Sequence, residues 1–266
     1  MIGWVRAILC FSMVAVATPF LLGWQMIAVA LRLDEAPAPR AWHWIITKAL
    51  GFRVHVHGRL ASERPLLVAA NHISWTDIMV LGSVADVHFV AKSEMAGWPI
   101  IGYLARWQRT IFVERERRRK SGEQAGEIAR RIADGHAVAL FAEGSTHDGN
   151  HVAPFKSTLF GAAAMAIAKG GSSVVYVQPV AIAYTRLQGL PMGRQHRTHA
   201  AWIGDRLLVP HIIALLKEGA VDVEVHFGEP FASDGATDRK QAARRAEQAV
   251  RTMMLAAHAR PVPSRR

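Results

Sequence analysis

Apolar and polar positions along this chain fall into short blocks whose period changes from block to block. From Ala7 to Leu31 no charged residue occurs, and Arg6 and Arg32 bracket the run. As one helix it would extend about 37 Å, long enough to cross a bilayer. Pro19 interrupts it, which leaves a kink and a re-entrant hairpin equally open. "EAPAP" then reads as a short linker, and the stretch around Trp42 and Trp44 as a second, interfacial helix. "RVHVHG" (53–58) alternates like an exposed strand, with His55 and His57 on one face. "PLLVAA" (65–70) and "HAVALFA" (136–142) are continuous apolar runs of buried-strand length. "VHFVA" (87–91), "RTIFVE" (109–114) and "VDVEVHFGEP" (221–230) also read as strands.

Helical spacing fills the intervals between these strands. A helix is expected at 76–84. Another, at 122–135, places Ala125, Ile128, Ala129 and Ile132 on one face and stops at Gly135. "STLFGAAAMAIAKGG" (157–171) is a small-residue helix ended by glycine, and "LLVPHIIALLKEG" a short apolar one. "TDRKQAARRAEQAVRTMMLAAHAR" is a long basic closing helix that Thr237 or Asp238 could cap. "SVVYVQPVAIAY" (173–184) is strand-like, and its Pro179 predicts a break or an edge position. Strands alternating with helices predict an α/β domain with a mixed central sheet flanked by helices. The domain boundary falls near residue 50, with a membrane anchor and interfacial helix over 1–50 and the α/β domain over 51–266.

Composition bears on the partner. Half of the chain (51%) is apolar, yet the formal charge is +11. Such a charge calls for an anionic partner, and with this apolar content the partner is lipid rather than nucleic acid. Eight tryptophans, against ten phenylalanines and three tyrosines, also suit a membrane interface. The run "ERERRRK" (114–120) is either a solvated face or a contact to lipid headgroups. The single Cys10 excludes an intrachain disulfide, in keeping with a reducing compartment. A cleaved signal peptide fits poorly, because "MIGWVR" has one positive charge and the apolar run is too long. His55 and His57 could bind metal, but no third ligand is evident nearby in the sequence, so a solvated strand face is the expectation.

The candidate chemistry is in "NHISWTD" (71–77), at the carboxyl end of a buried strand, where open α/β sheets place their sites. His72 could take a proton from a hydroxyl as it attacks a carbonyl, with Asp77 orienting the ring. An ordinary helix start, capped by Asn71 or Ser74, would read the same way. No G-x-S-x-G elbow occurs, and Ser145 in "EGSTHDG" lacks that context, which favours direct attack by an acceptor hydroxyl over an acyl-enzyme.

Further segments resemble, in order, the boxes of the glycerolipid acyltransferases, the 1-acylglycerol-3-phosphate O-acyltransferase family. "NHISWTD" resembles the NHx4D box. "AKSEMAGWPIIG" (91–102) is similar to the stretch that follows it, through Lys92, Glu94, Pro99 and Gly102. "TIFVER" (110–115) resembles the second box, with Arg115 on its arginine. "FAEGSTHDG" (141–149) resembles the third box at Glu143 and Gly144, and "VQPVAI" (177–182) the fourth at Pro179. The resemblance implies transfer of a fatty acyl group from acyl-CoA or acyl-carrier protein to a lyso-lipid hydroxyl. It makes His72 the base and Asp77 its orienter. Arg115, Glu143, Gly144, Ser145, Thr146, Asn71 and Lys92 would face substrate. It implies no cofactor and no metal for the reaction, a helical motif embedded in the cytoplasmic leaflet, and hence a bacterial plasma-membrane location with the site on the cytoplasmic side. Where the family's third box carries a phosphate-binding arginine, this chain has Thr146 and then His147, and Arg109 replaces a common glycine in the second. The full pattern is nearer to the lyso-ornithine lipid acyltransferases, which leaves lysophosphatidate and lyso-ornithine lipid as the two candidate acceptors. The alternative reading is a non-catalytic basic protein that binds anionic lipid; nucleic-acid binding ranks last, with no recognised module.

Overall fold

A computed structural model describes residues 2–113, 121–170, 173–234 and 237–259. The basic run 114–120, Arg115 included, lies outside the described residues. The N-terminal apolar run forms one helix, α1 (Ile2–Ala30), with Pro19 inside it, so the hairpin alternative within this run is not realised. The turn back comes later. Pro37 and Pro39, expected in the linker, open the helix α2 (Pro37–Ala49) instead, where proline's missing N–H costs nothing. α2 packs on both α1 and the helix α3 (Thr76–Val84). The approach to α3 is close at Gly82, where a Cβ would lie 2.0 Å from His43 Nδ1.

The strands are β1 (Phe52–His57), β2 (Leu66–Ala70), β3 (His88–Lys92), β4 (Ile111–Val113), β5 (Ala137–Phe141), β6 (Val174–Leu187), β7 (Leu190–Pro191), β8 (Val221–Phe227) and β9 (Phe231–Asp234). The remaining helices are α4 (Ile101–Trp107), α5 (Ser121–Ala133), α6 (Ser157–Gly170), α7 (Arg194–Arg197), α8 (Leu208–Glu218) and α9 (Arg239–Ala259). The described strands form one mixed sheet in the order β1-β8-β6-β2-β5-β3-β4, with β7 and β9 also on β6. The central strands β2 and β5 are buried throughout, as their unbroken apolar runs predict. One face packs a core around Phe52, Leu66, Val68, Phe141 and Val223. The other face packs Leu67, Val138 and Leu140 against α5, α6 and α9, with Ile128, Ala129 and Ile132 of α5 inside as their spacing predicts.

Pro179 corrects the expectation of a break or an edge. It stands in the middle of β6, opposite Ala69 of β2. The amides of Tyr176 and Ile182 point toward β2, so by alternation Pro179 turns its missing N–H the other way. On that side β9 pairs as far as Val177 and β8 takes over from Val180. The proline thus occupies the seam between two partners, where no ladder bond is lost, while its carbonyl accepts from Gly228 N at 2.9 Å. The closing helix is capped by Asp238, which accepts from Lys240 N at 3.1 Å.

Candidate active site

β2 ends at Ala70, but its pairing with β6 continues through a side chain. Asn71 is buried and its amide mostly serves one residue: Oδ1 accepts from Ile182 N at 2.8 Å and Nδ2 donates to Ile182 O at 2.9 Å and to Met254 Sδ at 3.8 Å. Asn71 is therefore buried at the end of the sheet, extending the pairing of β2 with β6. The next residue, His72, is carried just past the strand ends. Its Nδ1 lies 2.8 Å from Asp77 Oδ2.

Asp77 is fully buried and is the most connected group here. Oδ2 also accepts from Ile73 N (2.6 Å) and Ser74 N (2.9 Å), and Oδ1 accepts from the Tyr184 hydroxyl at 2.7 Å. Tyr184 is itself 2.6 Å from Thr76 Oγ1, and burial pushes its phenol well above the ordinary value, so it remains a donor. The start of α3 is thus held by Asp77 from within the helix, with no side-chain cap from Asn71 or Ser74. A carboxylate surrounded by donors assigns the His72 proton to Nδ1 and leaves Nε2 with its lone pair outward. The ring stacks on Phe141 at 4.0 Å and 13°. Its side chain is 18% exposed, shielded but reachable.

The third box wraps the same imidazole. Gly144, at φ +78°, makes the turn after β5, and a Cβ there would lie 2.6 Å from Lys156 Nζ. Glu143 is buried under it. Burial, reinforced by the charge of Asp77 and opposed by the backbone N–H of His72, pushes its pKa up to about 8, so the carboxyl is mainly protonated at neutral pH. His147 donates its backbone N–H to His72 O at 2.9 Å, and its Nε2 lies 3.3 Å from Ser145 Oγ and 3.5 Å from Glu143 Oε2. Burial lowers the His147 pKa, with help from His72 and Lys156, so this ring is neutral and no substitute for an arginine. Thr146 is spent as a tether, its hydroxyl donating to Trp202 O.

His72, Asp77, Glu143, Gly144 and Ser145 therefore come together. Lys92 lies exposed at the end of β3 with no contact to the His72–Asp77 pair among the described residues, and Arg115 is outside them. Arg109 has φ +60°, which accounts for glycine being common there, and its guanidinium pairs with Glu35 beside the starts of β3 and β5, the opposite ends of the strands from His72. Sequence reasoning missed Tyr184, Phe141 and Lys156. Lys156 lies in the segment "APFKSTLFGAA", but nothing local ties Tyr184 to an aspartate 107 positions earlier.

Two cavities are lined by neighbours of these residues, Trp75 and Ile78 in one and Thr146 and His147 in the other. An apolar one of about 370 Å³ runs between α1, α2, α3, α4 and α8, with Phe11, Trp42, Ile78, Met79, Trp98 and Ile212 in its wall. A shallow polar cleft of about 390 Å³ is lined by Thr146, His147, Asp148, His151, Ala153 and Ile203. Trp202 faces the first and Ile203 the second, so this short loop divides them.

The acyltransferase family matches residues 52–183. The chain is 50% identical, over 96% of its length and 87% of the relative's, to the lyso-ornithine lipid O-acyltransferase of Rhizobium meliloti (strain 1021). It is 46% identical to the protein of that name from Brucella abortus (strain 2308), over 97% of both chains. A 1-acyl-sn-glycerol-3-phosphate acyltransferase of Neisseria gonorrhoeae is 38% identical over 42% of this chain and 45% of its own. The crystal structure of the 1-acyl-sn-glycerophosphate acyltransferase PlsC from Thermotoga maritima superposes with a TM-score of 0.64 at 22% identity, covering 97% of this chain and 99% of that one, which establishes a common fold. With a buried acid holding an imidazole at the strand ends and relatives matched over nearly their whole length, the chain belongs to the acyltransferase family and is an acyltransferase.

Proposed function

We propose that this enzyme transfers a fatty acyl group from a thioester, acyl-CoA or acyl-carrier protein, to the hydroxyl of lyso-ornithine lipid, with His72 as general base. The observation that carries the reading is the His72–Asp77 pair, at 2.8 Å, with its chain neighbours Trp75 and Ile78 in the wall of the apolar cavity and its partner His147 in the lining of the polar cleft. The acceptor hydroxyl gives its proton to His72 Nε2 as its oxygen attacks the thioester carbonyl carbon. Asp77 stabilises the imidazolium that forms. The tetrahedral intermediate collapses, the carbon–sulfur bond breaks, and His72 returns the proton to the leaving thiolate. The apolar cavity takes the acyl chain and the polar cleft the acceptor head.

Acceptor choice follows from charge. Thr146 is committed to Trp202 O and His147 is neutral, so the third box offers no permanent cation for a phosphate monoester. Lys156, beside Gly144 and His147, supplies one point charge without the bidentate fork that an arginine offers a phosphate. The relatives named as lyso-ornithine lipid O-acyltransferases support the same acceptor. α1, with Trp4, Ile8, Phe11, Phe20 and Trp24 exposed, embeds the protein in the bacterial plasma membrane, with the site on the cytoplasmic side.

Radiolabelled acyl-CoA and acyl-carrier protein, each offered with lysophosphatidate and with lyso-ornithine lipid, test the reading. The expected result is ester formation on lyso-ornithine lipid, lost by ~10³-fold or more in His72→Ala. Near-normal turnover by that variant overturns the assignment of the base. Preference for lysophosphatidate overturns the acceptor alone.

A further inference from the structure

The alternation in "RVHVHG" and "VDVEVHF" has a second consequence, away from the reaction. β1 and β8 are parallel and in register, pairing Arg53 with Asp222, His55 with Glu224 and His57 with His226. Val221, Val223 and Val225 face the first core, so Asp222, Glu224 and His226 face the other side of the sheet, and the β1 histidines join them there. Arg53 and His55 are exposed on this face, as the alternation predicts, and across the two strands the face also sets imidazoles against carboxylates. His55 Nε2 is 2.8 Å from Asp222 Oδ1. One rung further, His57 Nε2 and His226 Nε2 each lie 3.2 Å from the same atom, Glu224 Oε2. The further ligands that the sequence did not reveal, Glu224 and His226, both come from β8 and join His57 rather than His55.

We propose that His57, Glu224 and His226 form a binding site for a divalent transition-metal ion of the zinc type. The three candidate ligand atoms lie within 4.8 Å of one another. In a tetrahedral zinc site, bonds of about 2.0–2.2 Å place ligand atoms about 3.3–3.5 Å apart, close to the two N···O separations here. The His57 and His226 rings stack at 4.2 Å and 25°, so both nitrogens leave the same side of the stack toward one oxygen. A modest rotation of His57, the most exposed of the three, closes the set on one ion. Two imidazoles and one carboxylate suit Zn²⁺, Co²⁺ or Ni²⁺ rather than Mg²⁺ or Ca²⁺, which prefer oxygen. Glu224 and His226 are buried, so the ion would rest on the sheet, with its open position on the His57 side for water. Arg186 Nη1 stands 4.0 Å from the other oxygen, Oε1.

The position fixes the role. β1 is the last strand of the sheet, with β8 as its neighbour in the strand order. Asn71 bonds β6, and β8 is the strand beyond it; the cluster also lies on the opposite sheet face from the core that contains Phe141, on which His72 stacks. An ion there would clamp the edge strand to β8 and touch no reacting atom. Binding to the folded state alone raises stability with ion concentration.

The test uses the full chain in detergent, stripped with a chelator and titrated with Co²⁺. The expected result is one Co²⁺ per chain with the intense visible absorption of a four-coordinate ion, displaced by Zn²⁺. His226→Ala and Glu224→Gln should weaken binding by ~10-fold or more, with acyl transfer retained. His57→Ala, at a partly exposed edge position, keeps the test decisive if a buried variant misfolds. No saturable band, or a band unchanged in His57→Ala, overturns the site and leaves only adventitious binding among the chain's 13 histidines.

Discussion

The acid at position 77 accepts from four donors, and three of them are groups other than the imidazole. Two backbone amides and a tyrosine set the carboxylate so that the fourth donor, the His72 ring, has one orientation. Asp77→Asn would turn an N–H₂ group toward at least one of these donors. It should lower kcat by ~10³–10⁴-fold, mainly by losing the tautomer, with KM changed far less; steady-state kinetics in both substrates check this. Glu143 supplies a pH dependence at the same scale. Its pKa is about 8 in the folded chain against an ordinary 4.5, and burial is the main cause. Below about 4.5 both folded and unfolded states hold the proton and nothing is lost. Between the two values the unfolded chain releases a proton that the folded chain keeps, so rising pH costs stability, by up to ~1.4 kcal/mol per pH unit. The loss is complete above the folded value. Glu143→Gln cannot ionise, so its denaturation midpoint should gain on that of the unchanged protein as pH rises from about 5 to about 8. A constant gap across that range would mean that Glu143 is not held neutral.

Elements were more legible than their side chains' errands. The helix at 76–84 and the buried runs of β2 and β5 lie within a residue of where the pattern placed them, because periodicity reports burial and these are the most buried segments. Pro179 misled because a local rule about missing N–H groups cannot see that two different strands share one flank of β6. The dyad was legible because its partners are five residues apart. Tyr184 and Glu224 were not, because their partners arrive from distant strands. Arg6 shows the same limit in a helix. In sequence it marks the end of an apolar run; in the fold its guanidinium donates to Ala49 O at 3.1 Å and to Leu216 O, tying α1 to the ends of α2 and α8. α1 also supplies Phe11, Val14 and Leu21 to the wall of the apolar cavity. Arg6→Ala should therefore loosen that wall. It should cost ~1–3 kcal/mol of thermal stability and raise KM for long-chain donors more than for short ones. Equal losses with both would separate the α1 docking from acyl-chain binding.

At the scale of the molecule, charge and apolar surface compete to explain membrane attachment, and magnitudes decide between them. The formal charge of +11 would draw the protein to anionic lipid, but each Lys or Arg near such a surface contributes only ~1 kcal/mol, and salt screens it. α1 exposes Trp4, Ile8, Phe11, Phe20, Trp24 and Ile27. Burying a side chain of this size is favourable by ~1.5–3 kcal/mol, so six of them together contribute ~9–18 kcal/mol that salt does not remove. α1 is also long and apolar enough to cross a bilayer. Protein reconstituted into vesicles should consequently stay with them through a wash in ~1 M salt, where the charge contribution is screened within about 3 Å, and leave only in detergent. Replacing all six by serine should make attachment salt-sensitive while leaving the His72–Asp77 hydrogen bond in place, since none of the six is bonded to that pair. If salt alone releases the unchanged protein, its basic surface holds it to the membrane and α1 does not, and the apolar cavity must then collect its acyl chain from the aqueous side.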